Sequence, residues 1–225
     1  MVVKLIVQTV VWVTTMGILL FVAAGTCKWS AAWFFLAEEG SLGLAVGLWL
    51  ARHDPALLAE RLAPIVQRDQ KRWDKLLMGV VFVGWNGWLV VMALDAQRFR
   101  WSTMPFGWRV VGAVLIFLSI FIAWLTFREN SYAAPVVKLQ RDRGQSVISS
   151  GPYRYVRHPM YAGAILFFFG APLLLGSLWG LALVPLLIAV LAVRAVNEER
   201  LLATELDGYS DYAKRVRNRL VPLVW

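Results

Sequence analysis

The sequence predicts an all-α, polytopic membrane helix bundle of about six spans, and three observations support this prediction. Apolar residues make up 59% of the 225 positions and charged residues only 16%, whereas a soluble domain has roughly 45–50% and about 25%. The apolar residues form blocks of roughly 17–22, long enough as helices to cross a hydrocarbon core of about 30 Å. Lysine and arginine are concentrated in alternate segments between these blocks.

The six apolar blocks give the predicted spans, and the last two form a short helical hairpin. The N-terminal block is longer than the apolar core of about 7–15 residues in a signal peptide, so we expect it to remain as the first span. The turn of the hairpin is predicted at Gly176 and Ser177; five spans with one re-entrant piece is the alternative. The predicted spans are Leu5–Ala24, Ala31–Leu50, Leu76–Leu94, Val110–Phe127, Met160–Gly176 and Leu178–Ala195.

The distribution of positive charge predicts the orientation. With six spans, all but four of the 23 lysine and arginine residues fall on the side that holds both termini; the four exceptions are Lys28, Arg98, Arg100 and Arg109. The positive-inside rule then places both termini in the cytoplasm. Anionic lipid headgroups account for the net charge of +9 without a nucleic-acid partner. The compact size favours a prokaryotic inner membrane.

We divide the chain into an N-terminal region of spans and an interfacial helix, residues 1–130, and a C-terminal region, residues 131–225, within one membrane domain. Asp54 and Pro55 predict the start of the interfacial helix, and Pro64 its end or a kink. The alternatives for this helix are a gate over the active site and a substrate-contacting role. The tail from Tyr209 onward is amphipathic and predicts an interfacial anchor, unless Tyr209, Tyr212, Arg215 and Arg219 fold back on a site.

Several classes of site are excluded by the motifs that the sequence lacks. It contains no Gly-rich dinucleotide or phosphate loop, no His-Glu-x-x-His and no Cys-x-x-Cys. His53 and His158 are the two histidines and Cys27 is the single cysteine, which is too few for a usual zinc site or an internal disulfide. We therefore expect no metal and no redox cysteine chemistry.

Polar residues instead gather at the two open ends of the predicted hairpin. About 16 residues lead from His158 to the turn and a similar number lead back, so His158 and Glu198 are expected to be neighbours at one membrane face. Pro159 suits the first turn of a helix, whose N-terminus favours a carboxylate or phosphate. Glu198 and Glu199 suit an ammonium, a sulfonium or ribose hydroxyls. Together the two ends predict a pocket for a small zwitterionic ligand.

Each of these residues also has a purely structural interpretation. Arg157 and His158 fit ordinary interfacial cations, and the tyrosines around them fit an aromatic belt. Arg194 and Glu198 are spaced as a surface helix pair, which contributes only about 0.2–0.5 kcal/mol. The functional interpretation is favoured because all of them meet at one pocket mouth.

Three stretches carry a resemblance to a known family. They are GPYRYVRHPMYAG at 151–163, NEERLL at 197–202 and YSDYAKRVRNRLVP at 209–222. Together they strongly resemble the isoprenylcysteine carboxyl methyltransferase-like integral membrane enzymes, with phospholipid methyltransferases as more distant relatives. The resemblance covers residues 131–225, whereas residues 1–130 match mainly in hydropathy.

The resemblance implies methyl transfer from S-adenosylmethionine (SAM), which makes residues 131–225 the catalytic, SAM-binding region. It implies that Arg194 is catalytic and pairs with a carboxylate of the acceptor, and that a loop covers the adenosine end of the cofactor. The cofactor-binding residues it implies are Gln145, Ser146, Val147, Ile148, Tyr153, His158, Pro159, Met160, Tyr161 and Glu198.

The acceptor is expected to be lipophilic and to come from the membrane, and we favour carboxyl O-methylation of an isoprenylcysteine-like compound. Glu38 and Glu39 lie inside the second span, where carboxylates are functional candidates, and we include them as substrate-binding residues. Phospholipid or small-thiol methylation are alternatives. An NADPH-dependent, sterol-reductase-like enzyme and a non-catalytic lipid-binding protein are further alternatives.

Overall fold

The computed structural model describes residues 1–64, 66–67, 70–222 and 224–225. These residues form helices and connecting loops, without a β-strand among them. The α-helices are α1 (Val2–Ala24), α2 (Ser30–His53), α3 (Pro55–Arg61), α4 (Arg72–Ala93), α5 (Phe106–Glu129), α6 (Pro159–Leu175), α7 (Leu178–Ala182), α8 (Val184–Glu205) and α9 (Tyr209–Arg215). A π-helical turn at Leu94–Arg98 extends α4.

The predicted membrane helix bundle is confirmed. Five segments are long and apolar enough to cross a membrane: α1, α2, α4 with its π-helical turn, α5, and α7 with α8. The predicted span from residue 160 corresponds to α6, which at 17 residues rises about 25 Å. Many large apolar side chains on these helices are exposed, as expected of surfaces that face lipid.

Both termini lie at the same end of the bundle. Near the N-terminus, Leu5 packs with Leu50 and Leu57, and the side chain of Gln8 donates a hydrogen bond to the carbonyl of Leu62. At the other terminus, the backbone N–H of His158 donates to the carbonyl of Arg219. We call this the terminal end of the bundle. A chain with both termini at one end must cross the bundle an even number of times. This agrees with counting the shorter α6 as a span in addition to the five longer segments.

Helices α5 and α6 pack unusually closely because glycines meet at their contact. A Cβ atom on Gly170 would lie 2.8 Å from the carbonyl oxygen of Gly112, and one on Gly112 would overlap the backbone nitrogen of Leu174. Small residues allow backbones to approach in this way, which is a common route to helix association in membranes. The short α6 is thereby fixed to a full-length span.

The helix that follows the hairpin turn differs from the single span predicted at residues 178–195. It breaks after Ala182 and restarts at Val184, where Pro185 occupies the first turn and has no N–H to continue the earlier helix. The restarted helix α8 then continues ten residues beyond Ala195, to Glu205. The predicted polar residues around Glu198 are therefore carried on a rigid helix rather than on a loop.

At the other end of the bundle, a buried carboxylate holds the hairpin turn. Asp95 is fully buried and accepts hydrogen bonds from the hydroxyls of Ser102 (2.8 Å) and Ser177 (2.6 Å) and from the backbone N–H of Trp179 (3.1 Å). Because Ser177 lies in the turn between α6 and α7, these bonds fix the far ends of both arms.

The short helix predicted after the second span is present, and its location at a membrane interface remains a prediction. Helix α3 begins at Pro55, as predicted, and the Asp54 carboxylate accepts a hydrogen bond of 2.8 Å from the backbone N–H of Leu57. This is the N-cap contact that the sequence predicts. The helix ends at Arg61, before Pro64, and its Leu57 and Leu58 are buried against the bundle.

Candidate functional site

A cavity at the terminal end of the bundle collects most of the predicted site residues. Its walls come from the end of α5, the loop after α5, the start of α6, the last turns of α8 and the start of α9. Its lining includes Asn130, Tyr132, Val136, Val137, Lys138, Arg157, Arg194, Leu202, Leu206, Tyr209 and Tyr212 together with all ten predicted cofactor-binding residues. The binding roles of those ten residues remain predictions, but the structure brings them to one place.

The predicted approach of the two hairpin arms is found at Tyr161 and Glu198. The Tyr161 hydroxyl donates a hydrogen bond of 2.6 Å to the Glu198 carboxylate, across 37 positions of sequence. The ring of Tyr161 stacks on that of His158, with centroids 5.2 Å apart and planes 5° from parallel. His158 and Glu198 therefore face one cavity, with the Tyr161 side chain between them.

The direct partner of His158 is the neighbouring glutamate, Glu199. Its carboxylate lies 3.1 Å from His158 Nε2 and accepts hydrogen bonds from Arg157 (2.7 and 3.1 Å) and from Arg219 (2.9 Å). The side chains of Arg157 and Glu199 are only 7% and 12% exposed. Glu199 thus joins α6, α8 and the tail in a buried ionic cluster, and the sequence alone did not distinguish it from Glu198.

The adjacent carboxylates of Glu198 and Glu199 therefore have different environments. The charge of Glu199 is neutralised by arginines, whereas the hydrogen-bond partner of Glu198 among the described residues is the neutral hydroxyl of Tyr161. Glu198 lines the cavity and Glu199 does not. Glu198 is therefore the carboxylate that remains available to a positively charged ligand.

Arg194 also lines the cavity, one turn before Glu198, and a residue that sequence reasoning missed holds it. Its Nε donates to Asp74 at 3.1 Å and its Nη2 donates to the carbonyl of Pro135 at 2.6 Å. Asp74 is fully buried in the first turn of α4 and also accepts from Gln70 and from the backbone N–H of Val137. The available signal was a lone carboxylate just before an apolar span, which gave no indication of its partner.

The C-terminal tail folds back on the site. The backbone N–H groups of Arg157 and His158 donate to the carbonyls of Asn218 and Arg219, both at 3.0 Å. The hydroxyl of Tyr212 donates to the carbonyl of Tyr153 at 2.9 Å. The tail is therefore part of the site, which agrees with the alternative interpretation of Tyr209 and Tyr212 rather than with a simple anchor.

The predicted covering loop and the second-span glutamates have different locations. Gln145 to Ile148 line the cavity, and the Gln145 side chain accepts a bond of 2.7 Å from the backbone N–H of Gln140. Glu38 and Glu39 lie within α2, about two helical turns after its first residue, Ser30, and they are not part of the cavity lining. Their substrate-binding role remains a prediction without support from this cavity.

The cavity fits a polar organic ligand such as a nucleotide. The Tyr209 hydroxyl is buried and has no hydrogen-bond partner in the described part of the chain, and buried polar groups normally have one. Glu198 offers a carboxylate, and several tyrosines offer flat apolar faces. In the described ranges, no group of three histidine, cysteine or acidic residues is arranged to hold a metal ion.

Comparison with known proteins agrees with this geometry. The family model described as phospholipid methyltransferase matches residues 108–206, which run from the start of α5 to just beyond the end of α8. A curated relative, the protein-S-isoprenylcysteine O-methyltransferase of Schizosaccharomyces pombe, is 31% identical over 91 residues. That match covers 40% of this chain and 38% of the relative. The resemblance to isoprenylcysteine carboxyl methyltransferase-like membrane enzymes is therefore confirmed.

Proposed function

We propose that the chain is a SAM-dependent methyltransferase that acts on a lipophilic acceptor at the membrane, and that the acceptor carries a carboxylate, as an isoprenylcysteine does. The observation that carries the proposal is the cavity in which Tyr161 joins Glu198 beside His158. It is supported by the match to a phospholipid methyltransferase family model and by a relative named for isoprenylcysteine O-methylation. We further propose that the terminal end of the bundle faces the cytoplasm of a prokaryotic cell.

The residues of the cavity can be assigned roles in binding. Glu198 would lie against the positive charge of the donor, held in position by the Tyr161 hydroxyl. Gln145 to Ile148 would cover the nucleoside, and the tyrosine faces would pack against it. When bound, SAM supplies a sulfonium methyl group, which an acceptor carboxylate takes up as an ester methyl while the sulfonium becomes a neutral thioether.

Arg194 would orient the acceptor. Its Nε and Nη2 are engaged with Asp74 and Pro135, and Nη1 makes no hydrogen bond within the described part of the chain. We assign Nη1 to the acceptor carboxylate. Such a carboxylate is already ionised at neutral pH, so the site needs no general base. Its contribution is alignment, which reaches about 7–11 kcal/mol where two reactants are held in line.

The test begins with binding of the purified protein to SAM and to S-adenosylhomocysteine by calorimetry. We expect both to bind, and Glu198→Gln to weaken both. Asp211→Asn, the same carboxylate-to-amide change on an exposed side chain of the tail, serves as the matched control and should leave binding unchanged. Binding of NADPH in place of both nucleotides would favour the reductase alternative and overturn the proposal.

The acceptor is identified with SAM labelled in its methyl group. A prenylated cysteine with a free carboxylate should yield a product that releases labelled methanol on treatment with base, because methyl esters hydrolyse and methylamines do not. The second candidate is phospholipid N-methylation, which the name of the matched family favours. Base-stable label in an ethanolamine phospholipid, with none in the prenylated cysteine, would establish that second function instead.

A further inference from the structure

Tyr209 is a residue of the C-terminal tail to which the family resemblance assigns no role. The residue lines the cavity and is 5% exposed as a whole. Its hydroxyl is fully buried and has no partner in the described part of the chain, although it carries both a donor and an acceptor function. Leaving such a group unpaired in a protein interior is unfavourable by about 1–3 kcal/mol, so its persistence requires an explanation.

The position of this hydroxyl is fixed by the chain around it. Gly208 adopts a φ of 80°, in the left-handed region that favours glycine, and this turn directs α9 back toward α8. The Tyr209 backbone N–H donates to the carbonyl of Leu206 at 3.2 Å, and its ring meets that of Tyr212 with centroids 5.8 Å apart. The neighbouring hydroxyl of Tyr212 is satisfied by the Tyr153 carbonyl, so the lack of a partner is specific to Tyr209.

We infer that the Tyr209 hydroxyl is a ligand-binding group of the cavity, whose hydrogen-bond partner is a polar atom of the bound methyl donor. Burial and the nearby carboxylates of Glu199 and Glu198 raise the pKa of Tyr209. The phenol is therefore protonated throughout the physiological range and can donate to a carboxylate, a ribose oxygen or a ring nitrogen. The inference rests on the proposed function, because the methyl donor is the polar ligand named there.

This role requires the tail to be closed when the ligand is bound. The tail is held by the bonds of Asn218 and Arg219 to the start of α6 and by the ionic cluster around Glu199. A ligand that bonds to Tyr209 would therefore contact α6, α8 and α9 at once. Binding of S-adenosylhomocysteine should consequently protect the tail as well as the helix ends.

The substitution Tyr209→Phe tests the inference because it removes one oxygen atom and leaves the ring. In the ligand-free protein, loss of an unpaired hydroxyl should leave the thermal unfolding midpoint unchanged or raise it. Calorimetry should nonetheless show the Kd for S-adenosylhomocysteine rising about 3- to 10-fold, the usual effect of one hydrogen bond. A residue with a merely structural role would show the opposite pattern, with lower stability and unchanged affinity.

Two further tyrosines supply the controls. Tyr155→Phe alters a side chain that is 68% exposed and outside the cavity lining, and it should change neither quantity. Tyr212→Phe removes a satisfied hydroxyl and should lower the unfolding midpoint of the ligand-free protein, which shows that the stability assay detects the loss of one hydrogen bond.

The outcomes separate this inference from the proposed function. If the wild-type protein binds S-adenosylhomocysteine and Tyr209→Phe binds it equally well, the hydroxyl is satisfied by water alone and the inference is overturned while the function stands. If the wild-type protein binds neither nucleotide, the proposed function fails and the inference fails with it. A weakened Kd with unimpaired ligand-free stability supports both.

Discussion

The adjacent carboxylates of Glu198 and Glu199 allow one substitution, glutamate to glutamine, to be compared at neighbouring positions of α8. Glu199 forms ion pairs with both Arg157 and Arg219, whereas Glu198 accepts one bond from the Tyr161 hydroxyl and faces the cavity. We therefore expect Glu199→Gln to affect mainly stability and Glu198→Gln to affect mainly ligand binding.

The expected loss of stability in Glu199→Gln follows from the burial of its ion-pair partner, Arg157. The Arg157 side chain is 7% exposed and donates to both carboxylate oxygens of Glu199. Removing one partner of a buried ion pair destabilises a protein by about 3–5 kcal/mol, because the other charge remains buried. Arg157 keeps its bonds to the carbonyls of Val216 and Arg217, so we expect the lower limit, about 3 kcal/mol.

The expected effects of Glu198→Gln on stability and on the Kd for SAM follow from the hydrogen bonds that the substitution keeps and removes. Glutamine can still accept the bond from Tyr161, so the ligand-free protein should lose little stability. A hydrogen bond between the carboxylate and a positively charged ligand contributes about 1.5–3 kcal/mol. Its loss corresponds to a rise in Kd of about 10- to 150-fold for SAM.

Two measurements on each variant complete the experiment. Thermal unfolding of the ligand-free protein in detergent reports stability, and calorimetry with SAM reports affinity. The reasoning is refuted if Glu198→Gln unfolds as readily as Glu199→Gln. It is also refuted if Glu199→Gln, measured well below its unfolding temperature, has lost more affinity than Glu198→Gln.

Two further substitution pairs test the supports of the site. Asp74→Asn should lower kcat/KM for the acceptor at least 10-fold, because Arg194 is no longer held in position by an ion pair and this loss outweighs the removal of a competing carboxylate. Asp95→Asn changes an equally buried carboxylate about 30 Å away on the same helix and should lower stability without a selective effect on the acceptor. Equal acceptor kinetics in the two variants would rule out the positioning role of Asp74. Gly170→Ala should destabilise the bundle by about 1–3 kcal/mol, since the added Cβ meets the backbone of α5, and thermal unfolding measures this. Gly84→Ala meets nothing within 4 Å and should be neutral or slightly stabilising; the same loss in both variants would contradict the close-packing interpretation.

The helices and the gathering of the hairpin ends could be predicted because both depend on local pattern and length. The apolar blocks determine the spans. The start of α3 is determined by Asp54 and Pro55, because the Asp54 side chain accepts a hydrogen bond from a backbone N–H only three residues later. Similarly, two helical arms of nearly equal length must return Glu198 to the depth of His158. No knowledge of the remaining bundle is needed for any of these steps.

The ion-pair partners of the individual site residues could not be predicted, because they depend on contacts between distant segments. Asp74 meets Arg194 across 120 positions and Arg157 meets Glu199 across 42. Nothing in the local sequence distinguishes Glu198 from Glu199, since the two differ only in which side of α8 they occupy. The break before Val184 was also missed, although Pro185 is a signal for it, because the apolar residues on both sides fit one continuous span.

The pairing of charges around the cavity indicates which ligand it favours. Each lysine or arginine in its lining is paired with a carboxylate: Lys138 with Glu60, Arg157 with Glu199, which also pairs with Arg219, and Arg194 with Asp74. Glu198 adds a carboxylate whose described hydrogen-bond partner is the neutral Tyr161 hydroxyl, so at this position the cavity favours a cation. A sulfonium donor satisfies this preference and loses its sulfonium charge in the transfer, which should make the product easier to release.

An acceptor carboxylate, in contrast, must share Arg194 with Asp74, and it therefore depends on its apolar tail for most of its affinity. Shortening that tail should raise the acceptor KM steeply and leave the Kd for SAM unchanged.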